Sequence, residues 1–214
     1  MTHTPTATMT DPAAARLTGA RSQRAFSVLL DTLARPGSVG SLDAVGLPDG
    51  VPPALVLPLA LADVEVSVAI VAADDTWQRF VVDVTGARTA PPDEAAMVVH
   101  LTTPDRDAVL ALRRGTGESP EGGARLAVAV EAVQAYEAGT PVDGALVLEV
   151  SGPGVDGTRR LAVAGLPATV LDAIATANRV FPAGIDTWLV APDGSIAALS
   201  RSTRLALADL TEVR

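Results

Sequence analysis

Apolar positions recur at two periods along this chain. Over residues 21–34, Ala25, Phe26, Leu29, Leu30 and Leu33 fall at the i, i+3/i+4 and i+7 spacing of one helical face, with Arg24, Ser27 and Asp31 outside it. Arg35-Pro36-Gly37 ends that helix, because proline cannot continue it and glycine takes the turn. A short strand is expected over 38–42. Pro52 and Pro53 open a second apolar helix, 54–62, which Pro58 should kink. Val64, Val66, Val68 and Ile70 then alternate, the two-residue period of a strand. Asp74 or Asp75 can cap a helix running through 77–84 and stopped at Gly86.

Further on, the pattern predicts a buried strand over 95–101 and a helix over 105–114 that Gly115 stops. Strands follow over 125–133, 145–150 and 160–164, the last entered through the Gly152-Pro153-Gly154 turn. Val170, Leu171, Ile174, Ala175 and Ala177 give an apolar side to a helix over 167–179. Strands over 187–191 and 195–199 are joined by Pro192-Asp193-Gly194, and a last strand spans 204–208. Roughly five helices and seven or eight strands result, early strands alternating with helices and later ones forming hairpins. The fold class is α/β with a mixed β-sheet flanked by helices, without internal repeat or linker.

Composition narrows the chemistry. The chain has 214 residues, 16 basic side chains, 25 acidic ones and two histidines, His3 and His100. All the basic residues are arginine, and there is no cysteine. Without lysine there is no Schiff base to pyridoxal phosphate and no Walker A lysine; without cysteine there is no disulfide, thiolate metal site or thiol nucleophile. Two histidines cannot make a three-histidine metal site within one chain. With 48% hydrophobic but only 3% aromatic residues, the core must be built from Ala, Val and Leu. A net charge of −9 repels phosphate backbones, which argues against nucleic acid as a partner. No apolar run reaches the roughly 18 residues of a membrane helix. The Thr/Ala/Pro-rich start lacks the pattern of a signal peptide, so residues 1–19 are expected to be a disordered tail before a single domain over 20–214, and the location cytoplasmic.

Three segments invite a chemical reading. The Gly-rich run from Arg113 to Gly123 could offer backbone N–H groups to phosphate, but Pro120 stands where a dinucleotide fingerprint needs glycine, and two glutamates oppose an anion. A structural connection is the better reading. Phe181-Pro182-Ala183-Gly184-Ile185-Asp186 sits between a helix and a strand and can be a helix stop or a binding corner; Asp186 can pair with Arg201 or Arg204. Ser200-Arg201-Ser202-Thr203-Arg204 can bind phosphate or phosphonate oxygens, or be a solvated strand end. His100 reads as a structural histidine, Asp105, Asp107 and the Asp74-Asp75 pair as helix caps, and Trp77 and Trp188 as core or interface aromatics. No Gly-x-Ser-x-Gly elbow and no convincing catalytic set emerge.

Several segments in order carry a family resemblance. They are Ser22 to Leu30 with Arg35-Pro36-Gly37, Gly115-Thr116 through Ala124, Leu161 to Gly165, the Phe181–Asp186 hexapeptide, and Arg201-Ser202-Thr203. Together they resemble the H subunit of the bacterial carbon–phosphorus lyase system, the PhnH family of phosphonate catabolism, over residues 20–210. Ala183 and Ser202 are conservative departures from its pattern. The resemblance implies a fold like the large domain of pyridoxal-phosphate-dependent transferases without the cofactor site, and a homodimer that joins the G, I and J subunits in a core complex. That complex forms ribose 1-methylphosphonate 5-triphosphate from ATP and phosphonate. The expected role is thus a non-catalytic subunit with no cofactor, no metal and no membrane partner. The alternative is a stand-alone enzyme or binder with an arginine-lined anion pocket. The surface implied for ligand or partner comprises Arg35, Phe181, Pro182, Gly184, Asp186, Arg201, Ser202 and Thr203.

Overall fold

The structure is a computed structural model that describes residues 12–137 and 144–208. Among them are six α-helices: α1 (Pro12–Ala15), α2 (Gly19–Ala34), α3 (Val56–Leu61), α4 (Thr76–Thr85), α5 (Arg106–Ala111) and α6 (Ala168–Ala177). The main sheet holds β1 (Val39–Ser41), β2 (Ser67–Val71), β3 (Arg88–Thr89), β4 (Met97–His100), β5 (Arg125–Ala129), β9 (Asp186–Val190) and β10 (Ser195–Leu199) in the order β1-β10-β9-β5-β4-β2-β3. Strands β9, β5, β4, β2 and β3 are parallel, and β10 and β1 add antiparallel at one side. A second, wholly antiparallel sheet holds β6 (Ala132–Ala135), β7 (Ala145–Ser151), β8 (Thr158–Ala164) and β11 (Arg204–Leu207) in the order β11-β7-β8-β6.

Side chains on a strand alternate between faces, so the main sheet builds two cores at once. Val68, Ile70, Met97, Val99, Trp188, Val190 and Ile196 pack with α2, α3 and α4 on one face. Ala69, Val98, Leu126, Val128, Leu189 and Leu199 pack with α5, α6 and the second sheet on the other. Being covered on both sides explains why the parallel strands read as nearly continuous apolar runs. Trp188 ties the sheet to α2, its Nε1 donating to the Leu29 carbonyl at 3.2 Å inside the core.

The expected single strand over 125–133 is two strands in two sheets. The chain leaves β5 at Val130, whose N–H donates to Val190, and enters the second sheet at Glu131, whose N–H donates to Ala164. Apart from Arg125 and Glu131 the segment 125–133 is apolar and reads as one strand; the change of hydrogen-bond partner at Glu131 marks the switch. The mixed sheet of the expected α/β class is present, with this second sheet added to it.

Other expectations shift for local reasons. On α2, Ala25, Leu29 and Thr32 are buried, whereas Phe26 and Leu30 are half exposed, at 50% and 51%. The inward face is therefore rotated from the one read off the periodicity. Pro58 lies in the first turn of α3, behind a 3-10 turn at Pro53–Leu55, where a missing N–H costs no intrahelical bond. Val64 is exposed and precedes β2 rather than belonging to it. The packed chain also starts before the boundary at residue 20: Ala15 is fully buried, and Arg16 Nη2 donates to the Val84 carbonyl at 3.1 Å. Residues 1–11 of the expected tail lie outside the described residues.

Leu126 is fully buried at the centre of the main sheet. Leu126→Ala should lower stability by about 2–5 kcal/mol, read as a lower urea midpoint at unchanged slope.

Candidate functional site

The hexapeptide, the Gly-rich loop and the Ser/Arg turn meet at one corner of the main sheet. Asp186 begins β9, and Arg201 lies in the turn between β10 and β11. The Asp186 carboxylate accepts from the Arg201 backbone N–H at 2.9 Å, from Nε at 3.3 and 3.2 Å and from Nη2 at 2.7 Å. Arg201 Nη1 donates to the Pro120 carbonyl. Each side chain of the pair is only 15% exposed. Planar guanidinium and carboxylate match in a fork, which accounts for arginine here rather than a point-charge amine.

The loop is clamped onto this pair by backbone contacts only glycine allows. The Gly184 N–H donates to the Arg114 carbonyl at 2.8 Å. Gly184 has φ +154°, and a Cβ there would lie 2.5 Å from Asn178 Oδ1. A Cβ on Gly123 would collide with the Gly184 carbonyl. Asn178 Oδ1, just past α6, accepts from the Ile185 N–H at 2.7 Å and fixes the bend after the cis Phe181–Pro182 peptide. Inside the Gly-rich loop the two arginines hold backbone carbonyls: Arg113 those of Gly122 at 2.5 Å and Glu94 at 3.1 Å, and Arg114 that of Leu110 at 2.6 Å. The loop is thus built as a connection, and its arginines are committed to backbone carbonyls of the loop and of the segments beside it.

Beside the corner lies a cavity of about 510 Å3, lined by Pro153, Ala175, Asn178, Arg179, Phe181, Arg201, Ser202, Thr203, Arg204 and Leu205. Phe181 is 65% exposed at its rim. Ser200 Oγ lies 3.0 Å from Ser202 Oγ and 2.9 Å from Thr203 Oγ1, so these hydroxyls satisfy one another. Among the described residues, neither Arg179 nor Arg204 forms an ion pair. Among the described residues no carboxylate lines the cavity.

The structure therefore gathers Phe181, Arg201, Ser202 and Thr203 around one cavity; Asp186 and Gly184 meet its lining residues Arg201 and Asn178, whereas Pro182 does not line it. It does not gather Arg35 with them. Arg35 pairs with Asp31 at 3.1 Å and lines a separate hollow with Val28, Thr32 and Val39. Arg201 is held by Asp186 and Pro120, so the cations left for a ligand are Arg179 and Arg204. Arg179 was not singled out by sequence, because an arginine at a helix C-terminus looks like a partner of the helix dipole. Asn178 and Gly123 carried a signal only in hindsight of their neighbours: an Asn after a helix, and a Gly facing a strand start.

His100 ends β4, is 4% exposed, and neither ring nitrogen has a hydrogen-bond partner among the described residues. Burial pushes its pKa below the ordinary 6.5, and the Asp105 charge opposes this only in part. Asp105 caps α5, its Oδ1 accepting from the Ala108 N–H at 2.7 Å. Asp74 Oδ1 accepts from the Thr76 N–H at 2.9 Å, which holds its carboxyl below the usual range. Among the described residues no group of three His, Asp or Glu side chains could hold a metal ion, and no helix is long and apolar enough to cross a membrane.

The class so defined is an α/β protein with a mixed main sheet, an antiparallel second sheet and an arginine-braced corner joining them. A family model described as bacterial phosphonate metabolism protein (PhnH) matches residues 15–206. The chain is also 30% identical over 189 residues to the alpha-D-ribose 1-methylphosphonate 5-triphosphate synthase subunit PhnH of Rhizobium meliloti (strain 1021), covering 86% of this chain and 90% of that protein. The chain belongs to the PhnH family.

Two outcomes are expected. Asp186→Ala should cost about 3–5 kcal/mol, since it leaves the Arg201 charge enclosed and unpaired; in urea unfolding, the Asp186→Ala/Arg201→Ala double variant should lose less than the sum of the singles. For His100 the folded pKa lies below the unfolded one, so the unfolded state binds more protons at acid pH. Its contribution is present above about pH 6.5 and is lost as pH falls through the lower folded value. His100→Leu should flatten that part of a stability–pH curve, measured by urea midpoints from neutral to mildly acid pH.

Proposed function

We propose that this chain is a non-catalytic subunit of the carbon–phosphorus lyase core complex, the assembly that forms ribose 1-methylphosphonate 5-triphosphate from ATP and phosphonate. The observation that carries the reading is its relationship to a named synthase subunit along nearly the full length of both chains. The composition supports it: with no lysine and no cysteine, the chain must leave nucleotide-lysine chemistry and iron–sulfur chemistry to partners. The finer parts of the reading are a homodimer, partnership with the G, I and J subunits, and a cytoplasmic location. A further part is kinship of the fold with the large domain of pyridoxal-phosphate-dependent transferases, for which the parallel run β9-β5-β4-β2 is the support.

Co-expression with the matching G, I and J subunits should yield one complex that co-elutes in size-exclusion chromatography. Elution of this chain apart from the other three, under conditions where those assemble, overturns the reading.

A second reading, an independent anion binder, is favoured by Arg179 and Arg204 beside the cavity. It requires that millimolar methylphosphonate or ribose 5-phosphate raise the melting temperature of the isolated protein, and that Arg204→Ala abolish the rise. Arg201→Ala is unsuitable for this test because Arg201 braces the fold.

A further inference from the structure

Among the described residues, strand β11 is the edge of the second sheet and pairs only with β7. In an antiparallel pair, alternate residues direct their peptide groups to the partner. The Ala208 N–H donates to the Val147 carbonyl at 2.8 Å, continuing the register in which Ala206 faces Glu149 and Arg204 faces Ser151. Residues 204, 206 and 208 therefore bond to β7, and the N–H and C=O groups of Leu205 and Leu207 point away from it. Among the described residues no strand takes them up. An open edge without proline or bulge is a template for another strand.

The space beside that edge is a groove. The cavity at the corner shares Ala175 and Leu205 with a second hollow of about 240 Å3, bounded by Leu171 of α6 and by Leu207. Leu207 is 52% exposed although Leu148, its partner across the ladder, is buried. The groove is thus apolar along β11 and cationic at its Arg179/Arg204 end. Its one acid, Asp172, faces Arg106 at 3.4 Å. In a chain with 25 acidic residues against 16 basic ones, a cationic end with no acid among the described residues is selective for an anion.

We propose that the groove between α6 and β11 receives an extended segment of a partner subunit, added to β11 as a fifth strand, with apolar side chains over Leu171 and Leu207 and a carboxylate at Arg179 and Arg204. The proposal rests on the reading of the chain as a subunit. A compact anion would engage the arginines and leave the outward peptide groups and the apolar stretch uncovered. A strand matching the four residues of β11, about 13 Å at ~3.3 Å per residue, covers all three features.

The test is hydrogen exchange on the isolated chain and on the co-eluting complex described above. In the isolated chain the Leu205 and Leu207 amides should exchange quickly; in the complex they should slow by about tenfold or more. Arg204→Glu and Leu207→Asp, both at exposed positions, should weaken co-elution by about tenfold at an unchanged melting temperature. A complex that forms with no slowing at these amides, and that tolerates both variants, overturns the groove proposal and leaves the subunit reading intact. Absence of any complex overturns both. Slow exchange already in the isolated chain assigns the edge to a second copy if it depends on concentration, or to residues 209–214 if truncation after Ala208 removes it; each result overturns the proposal. So does slowing produced by millimolar methylphosphonate alone.

Discussion

The corner depends on one ion pair. Asp186 and Arg201 lie on segments that belong to different parts of the architecture: the start of a central parallel strand and the turn that carries the chain from the main sheet to the second. The fork between them, with the Pro120 carbonyl as a third point, fixes the Gly-rich loop against both. A pair with so little water access is costly to form and costlier to leave half made. Its value here lies in geometry. It sets where the β10–β11 turn leaves the sheet, and so where β11 and its neighbouring groove come to lie.

This gives two of the segments that carry the family resemblance a physical meaning. The Phe181–Asp186 hexapeptide and the Arg201-Ser202-Thr203 triplet look like parts of a ligand site when read as lists of reactive groups. In the folded protein most of those groups serve one another. Asp186 holds Arg201, Ser200 holds Ser202 and Thr203, and Gly184 admits Asn178. What faces outward is Phe181 and two arginines that the motif does not include. Under the subunit role proposed above, this is the surface offered to another chain.

Much of this was legible in the sequence, and the rest was hidden for identifiable reasons. Alternating Val and Ile before Asp74 announced β2, and Arg35-Pro36-Gly37 announced the end of α2. Opposite charges flanking a strand pair offered Asp186 either Arg201 or Arg204, and the fold selects Arg201. Periodicity could not say which part of the α2 stripe meets the sheet, so Phe26 and Leu30 were placed inward. The run from Leu126 to Val133, apolar except for Glu131, concealed a change of sheet, because hydrophobicity does not record which strand a peptide bonds to. The Pro120 carbonyl was invisible, since every residue has one. Arg35 stands with Arg201 in the surface expected from sequence, and only three-dimensional placement separates them.

The crossing at Val130–Glu131 has a topological consequence. The link from β5 to its parallel neighbour β9 contains β6, β7, β8 and α6, so most of the second sheet is inserted within a crossover of the first. The last strand of that second sheet, β11, comes only after the main sheet has ended with β10. The two sheets are interlaced along the chain. Neither can be cut out as one continuous stretch of polypeptide, and neither is complete until the chain has passed through the other.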